Sequence, residues 1–257
     1  MNAGTTQNYK LTRALFRFDL SSLPTNTVVL SAAVQLVVTR EPDEPPPTIT
    51  FGLRRMLRPW GEGDKNPPPV SPGAGSGLPA SPGDATWNHA FFPTNAWSTP
   101  GGASGVDFSA TESSFKEVYG VDQSPYLFQN TPELIDDVVA WIAQPQTNFG
   151  WMLLCNEEHL NFSARRWGTR EDPNNPPLLE LEYLVPPVVQ IVKTNSTQTR
   201  LQFTAWADHT YDVLYRNSLT TGSWLPLTNL VVAPTNYAAV VFDSASVTQR
   251  FYRVNAY

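Results

Sequence analysis

The chain has 257 residues, enough for one large or two modest domains, and a formal net charge of −6 that offers no global basic field to nucleic acid or an anionic membrane. Only 16% of its residues are charged, while it holds 24 prolines and 8 tryptophans, which fits a loop-rich, all-β extracellular protein better than a cytosolic helical enzyme. The single cysteine, Cys155, excludes an intrachain disulfide framework and a thiolate zinc site, and no window approaches the roughly eighteen apolar residues of a membrane span.

Met1-Asn2-Ala3-Gly4-Thr5-Thr6 has neither the basic start nor the apolar segment of a signal peptide. The first strong pattern is Arg13–Leu20, in which Ala14, Phe16, Phe18 and Leu20 alternate with Arg13, Arg17 and Asp19. Successive side chains of a strand point to opposite faces, so this is a half-buried strand, ended by Ser21-Ser22-Leu23-Pro24. A second strand follows, with Ala32, Val34, Leu36 and Val38 on one face. The two seed an antiparallel β-sandwich.

Glu41-Pro42-Asp43-Glu44-Pro45-Pro46-Pro47 is a stiff acidic loop. Glu41, Asp43 and Glu44 could contribute to a structural calcium site, but calcium needs six to eight oxygens, so a solvated loop is the simpler reading; no other cofactor is expected. Ile49–Leu57 reads as a strand, with Arg54, Met56 and Arg58 on one face and Arg55 on the side of Leu53 and Leu57. Residues 61–84 form a long Gly-, Pro- and Ser-rich insertion bracketed by Trp60 and Trp87. Asn88, Phe91, Phe92 and Trp97 continue the aromatic density. Aromatic faces pack on the C–H-rich face of a pyranose while flanking Asn, Asp and Arg groups bond its hydroxyls; the same rings could instead plug the ends of the sandwich.

Thr131-Pro132 places an N-cap before a proline at the first helical position, and Ile135, Val138, Val139 and Ile142 form the apolar stripe of a short helix ended by Gln144-Pro145. Asp136 and Asp137 fall on its solvent side and, being adjacent, cannot face one glycosidic bond. Cys155 ends the apolar run Trp151–Cys155 and is expected to be buried. Glu157, Glu158 and His159 sit at a hairpin tip, where solvation is expected rather than metal binding. Arg165 and Arg166 face opposite ways. Arg165 is expected to form a structural ion pair with Asp19 or Glu180, whereas Arg166, Trp167 and Arg170 could make a platform for an acidic sugar.

The order of these segments resembles the DNRLRE family of secreted bacterial domains, related to the disaggregatase-related repeats and to alginate-binding carbohydrate modules. The resemblance is carried by Arg13–Pro24, Ser31–Leu36, Arg58-Pro59-Trp60-Gly61-Glu62-Gly63, Ala85-Thr86-Trp87-Asn88, Val138–Trp141, Asn148–Trp151, Phe162–Arg165 and Pro177–Tyr183. It implies a jelly-roll-like antiparallel sandwich with one short helix over residues 1–185. It also implies a further strand before Arg13, where almost nothing precedes. Met1 is therefore read as a gene-fragment start, with a leader and a strand upstream and an uncovered edge open to self-association.

Pro186-Pro187 marks a boundary, after which short strands recur in residues 186–257. Tyr211–Arg216, Gly222-Ser223-Trp224 and Arg250–Val254 resemble a fibronectin-type-III-like module, with Trp224 as the expected core plug.

No Gly-x-Ser-x-Gly elbow, His-Glu-x-x-His helix or phosphate loop occurs. The expectation is a non-catalytic carbohydrate-binding module of a secreted or cell-surface protein, taking a polysaccharide, acidic ones included. Its candidate ligand-binding residues are Trp60, Trp87, Asn88, Trp97, Arg166, Trp167 and Arg170. The alternatives are a structural or adhesive subunit of an extracellular assembly and, less favoured, a polysaccharide lyase or hydrolase.

Overall fold

The computed structural model describes residues 1–63, 79–244, 247 and 249–257; most of the insertion expected at 61–84 therefore lies outside the described residues. The chain divides into two units, one of Met1–Thr25 and Val29–Tyr183, the other of Asn26–Val28 and Leu184–Tyr257. Both are antiparallel β structures, and a single α-helix occurs among the described residues. None of the described helices is long and apolar enough to cross a membrane.

In the first unit the strands are β1 (Asn2–Thr5), β2 (Leu11–Thr12), β3 (Ala14–Phe16), β4 (Val28–Leu36), β5 (Val38–Arg40), β6 (Ile49–Arg55), β7 (His89–Phe91), β8 (Asn95–Ala96), β9 (Ser114–Val118), β10 (Tyr126–Phe128), β11 (Trp151–Cys155), β12 (Arg165–Trp167) and β13 (Leu178–Leu184). One layer is the sheet β3-β11-β6-β9; the sheets β2-β1-β12-β5 and β10-β4-β13 make up the other side. Between them lies a core built by period-two burial: Ala14 and Phe16 from β3, Phe51 and Leu53 from β6, Trp151, Leu153 and Cys155 from β11, Val34 and Leu36 from β4.

The helix α1 (Pro132–Ala143) starts as its sequence dictates: the Thr131 hydroxyl accepts from the Leu134 N–H at 3.0 Å, and proline takes the first turn. Its buried face is Leu134, Asp137, Val138, Trp141 and Ile142, rotated from the expected stripe, so Val139 is exposed. Asp137 is therefore not on the solvent side. It accepts from the Trp151 indole at 2.8 Å and pairs with Arg55 at 3.3 Å, which explains a carboxylate on an otherwise apolar face.

Residues ahead of Arg13 also depart from expectation. Asn2 and Ala3 pair with Arg166 and Arg165, so a strand does precede Arg13. Small residues hid it: Ala3, Gly4 and Thr5 are buried without making an apolar alternation.

The second unit contains β14 (Gln190–Lys193), β15 (Gln198–Ala205), β16 (Tyr211–Arg216), β17 (Leu225–Leu230), β18 (Tyr237–Ser244) and β19 (Phe251–Ala256), in the sheets β14-β15-β18 and β17-β16-β19. Leu201, Phe203, Tyr211, Val213 and Val241 form its core. Trp224 is not the plug; it is half-buried, with the Arg216 guanidinium 5.2 Å from its ring centroid.

Candidate functional site

A cleft of about 460 Å³ opens in the first unit, lined by Arg13–Phe18, Trp60–Gly63, Ala85, Thr169–Glu171 and residues at the start of β1. Trp60 contributes an aromatic wall. Its indole donates to the Phe149 carbonyl at 2.7 Å, and the ring packs beside the cluster of Met56, Ala90, Trp97, Phe108 and Met152, so its orientation is fixed.

Three arginines ring the cleft. Arg13 is locked in place: it donates to both Glu158 carboxylate oxygens at 2.8 and 2.7 Å and to the Gly101 carbonyl at 2.8 Å. Its guanidinium lies 5.5 Å from the Trp87 ring centroid and 5.6 Å from that of Phe108. Arg170 pairs with Glu62 at 3.0 Å and Glu171 at 2.7 Å, in a cluster exposed enough for solvent to weaken it. Arg17 is exposed and makes no ion pair among the described residues.

Burial pushes the Glu171 carboxyl up, but hydrogen bonds from Thr169 and Arg170 outweigh it and hold the group below the usual carboxylate range. A general acid of a glycosidase needs the opposite shift.

Of the seven expected ligand residues, the cleft brings together Trp60 and Arg170. Trp87 and Asn88 are exposed on the adjoining segment, Trp87 at 36%. Gly101 sits at φ +84°, where an added Cβ would come within 2.6 Å of the Trp87 ring; the absent side chain is what admits that ring. Arg166 points outward from β12 and does not line the cleft.

Two expected platforms are corrected. Trp97 is 6% exposed, its indole donating to the Thr86 carbonyl at 2.8 Å, under a loop organised by Asp107. Trp167 is 1% exposed and packs edge-on against Phe51 at 5.1 Å between ring centroids. It shares the inward face of β12 with Arg165, two residues away, so the alternation that placed Arg165 inside also places Trp167 there.

Arg165 is buried, as a structural residue should be, but its nearest carboxylate is Glu41 at 3.8 Å, not Asp19 or Glu180. The rest of its guanidinium faces backbone carbonyls, among them those of Phe162, Ser163 and Ala164 at 3.3 Å. Glu41, the first acid of the calcium reading, is thus turned toward an arginine. At the hairpin tip Glu157 accepts from the Thr50 N–H at 2.8 Å and Glu158 holds Arg13, which gives both acids protein partners. Cys155 is fully buried, and burial raises its thiol to about 11.

Arg13, Arg17, Glu62 and Glu171 line the cleft without having been singled out as ligand residues. For the two arginines the signal was available: they alternate with the core residues Ala14 and Phe16 and so share one outward face.

No protein-family model, no curated protein and no solved structure matches the chain.

Proposed function

We propose that this chain is a non-catalytic polysaccharide-binding module of a secreted or cell-surface protein, with the first unit holding the glycan. The observation that carries the reading is the convergence of a fixed indole, Trp60, and three arginines, Arg13, Arg17 and Arg170, on one open cleft, with Trp87 and Asn88 on the adjoining rim. A fixed ring offers a sugar face a platform at little ordering cost, and a guanidinium without a protein partner prefers a carboxylate or a row of hydroxyls. Arg17 comes nearest to this: it is exposed and makes no ion pair among the described residues, its charge acting only more distantly on Asp19. An acidic polysaccharide is therefore the favoured ligand class. The non-catalytic part of the reading rests on the lowered Glu171 carboxyl and on both cleft acids, Glu62 and Glu171, being held by Arg170.

The experiment is retention of the whole chain on alginate, pectin, xylan, cellulose and chitin, with analysis of the same tubes for new sugar ends. Retention without products, weakened by Arg17→Glu and by Trp60→Ala, is the expected result. A structural or adhesive role is the second reading, favoured by β3 ending its sheet with no neighbour on its outer side among the described residues.

A further inference from the structure

The floor of the cleft is a strand edge. Among the described residues β3 is the terminal strand of its sheet, bonded to β11 alone. Every residue from Arg13 to Phe18 lines the cleft. Side chains of a strand alternate between faces, so an unbroken run lines a cavity when the backbone edge itself is exposed to it.

The direction of the backbone groups follows from parity. Asn156 donates its N–H to Thr50 beside β6, and the Gly150 carbonyl accepts from Met56 at the other end of the same strand pair. Backbone groups of successive residues alternate between the two neighbours of an antiparallel strand. Trp151 and Leu153 therefore bond toward β3, where they lie opposite Phe16 and Ala14. The N–H and C=O of Leu15 then point away from β11, into the cleft, with no partner for them among the described residues. A row of this kind is a template for one more strand.

The side chains specify what that strand should carry. Arg13, Leu15 and Arg17 share the face of β3 turned from the main core; there Leu15 packs on the cluster of Met56, Trp97 and Phe108, Arg13 is held by Glu158, and Arg17 is exposed, while Ala14 and Phe16 face the core and the half-buried Phe18 ring continues them, 5.9 Å from Phe16. A second copy pairing antiparallel about Leu15 would set Arg13 opposite Arg17, a like-charge juxtaposition that opposes self-pairing. Acidic residues opposite Arg17 and apolar residues beside Phe16 satisfy both faces.

We propose that the edge of β3 docks an extended polypeptide strand, antiparallel, that alternates acidic and apolar residues. This goes beyond glycan binding and does not depend on it. Directly opposed residues point to the same face, so the strand's acidic residues are the ones whose N–H groups meet the Leu15 edge.

The test uses the whole chain and a blocked octapeptide alternating valine and aspartate, followed by fluorescence anisotropy and by amide exchange at Leu15. Saturable binding is expected, with the Leu15 amide exchanging at least tenfold more slowly in the complex. N-methylation of the aspartate amides should weaken binding at least tenfold, whereas N-methylation of the valine amides should be tolerated. Arg17→Glu should also weaken it at least tenfold. Equal affinity of both methylated peptides, absence of saturable binding, or a peptide-free dimer that protects Leu15 would each overturn the proposal. So would protection of Leu15 by soluble polygalacturonate alone, which would make the floor part of a sugar site. Polysaccharide retention is read separately, so its failure leaves the peptide result standing.

Discussion

Substituting Trp167 separates the core of the first unit from its ligand surface. The side chain is 1% exposed and meets Phe51 at 5.1 Å, Tyr126 at 6.2 Å and Phe128 at 6.4 Å between ring centroids. Truncating such a ring to alanine removes its transfer energy and leaves a cavity, together about 3–5 kcal/mol. Against a whole-protein stability of roughly 5–15 kcal/mol that is a large loss, and for a unit of this size it lowers the melting temperature by roughly 6–20 °C. Phenylalanine at the same place should cost much less. The Trp167 indole N–H is buried with no hydrogen-bond partner among the described residues, so its removal relieves a penalty of about 1–3 kcal/mol that offsets part of the lost volume. Urea unfolding followed by circular dichroism measures both. A clearly lowered midpoint is expected for Trp167→Ala and a small change for Trp167→Phe. An unchanged midpoint in Trp167→Ala, with weaker glycan binding, would refute this and return Trp167 to the ligand surface.

Arg17→Glu should leave the unfolding free energy from urea titration within about 0.5 kcal/mol of the parent, because the side chain is exposed and makes no ion pair among the described residues. The same change should weaken an acidic glycan about ten- to a hundredfold, as loss of a charge-assisted hydrogen bond implies, read by affinity electrophoresis. Asp137→Leu should cost roughly 2–5 kcal/mol, since it strands the Trp151 and Ser113 donors, while Asp137→Asn keeps an accepting oxygen and should be milder; urea midpoints decide. Burial pushes the Asp137 carboxyl up, beyond what its hydrogen bonds from Ser113 and Trp151 and its Arg55 partner recover, so its contribution is present at low pH and is lost as pH rises through the folded value. Asp107 behaves oppositely. Burial raises it, but hydrogen bonds from the Ala103 and Ser98 N–H groups, the Ser98 hydroxyl and Arg58 prevail and lower it. Its stabilisation is present above the unfolded value of about 4 and is lost as pH falls through the folded one, so the Ser98 and Ala103 amides should lose protection, measured against the unstructured exchange rate at the same pH, once the medium is acidified below that point.

What the sequence revealed was set by side-chain period. Ala14 and Phe16, Phe51 and Leu53, and the Thr131-Pro132 helix start were legible because their burial and capping follow from local spacing alone. β1 was not, because Ala3-Gly4-Thr5 is buried through small size and a glycine at φ +108°, which leaves no apolar signature. Asp137 misled for a similar reason: a charge reads as solvent-facing until a tertiary partner, here Arg55 beside the Trp151 indole, supplies the reason to bury it. At the candidate site, Trp60 and Arg170 stood out by type, and the structure brings them to one cleft. Trp97 and Trp167 stood out equally and are interior. For Trp167 the strand alternation from Arg165 carried the answer; for Trp97 burial depends on the loop folded around Asp107, which no local pattern encodes.

The most direct measurement is retention of the whole chain on the five polysaccharides, side by side with Arg17→Glu and Trp60→Ala and with product analysis of every tube. The account predicts retention on an acidic polysaccharide, no new reducing or unsaturated ends, and weaker retention of both variants at unchanged fold. Product formation, or equal retention of parent and variants, would contradict it.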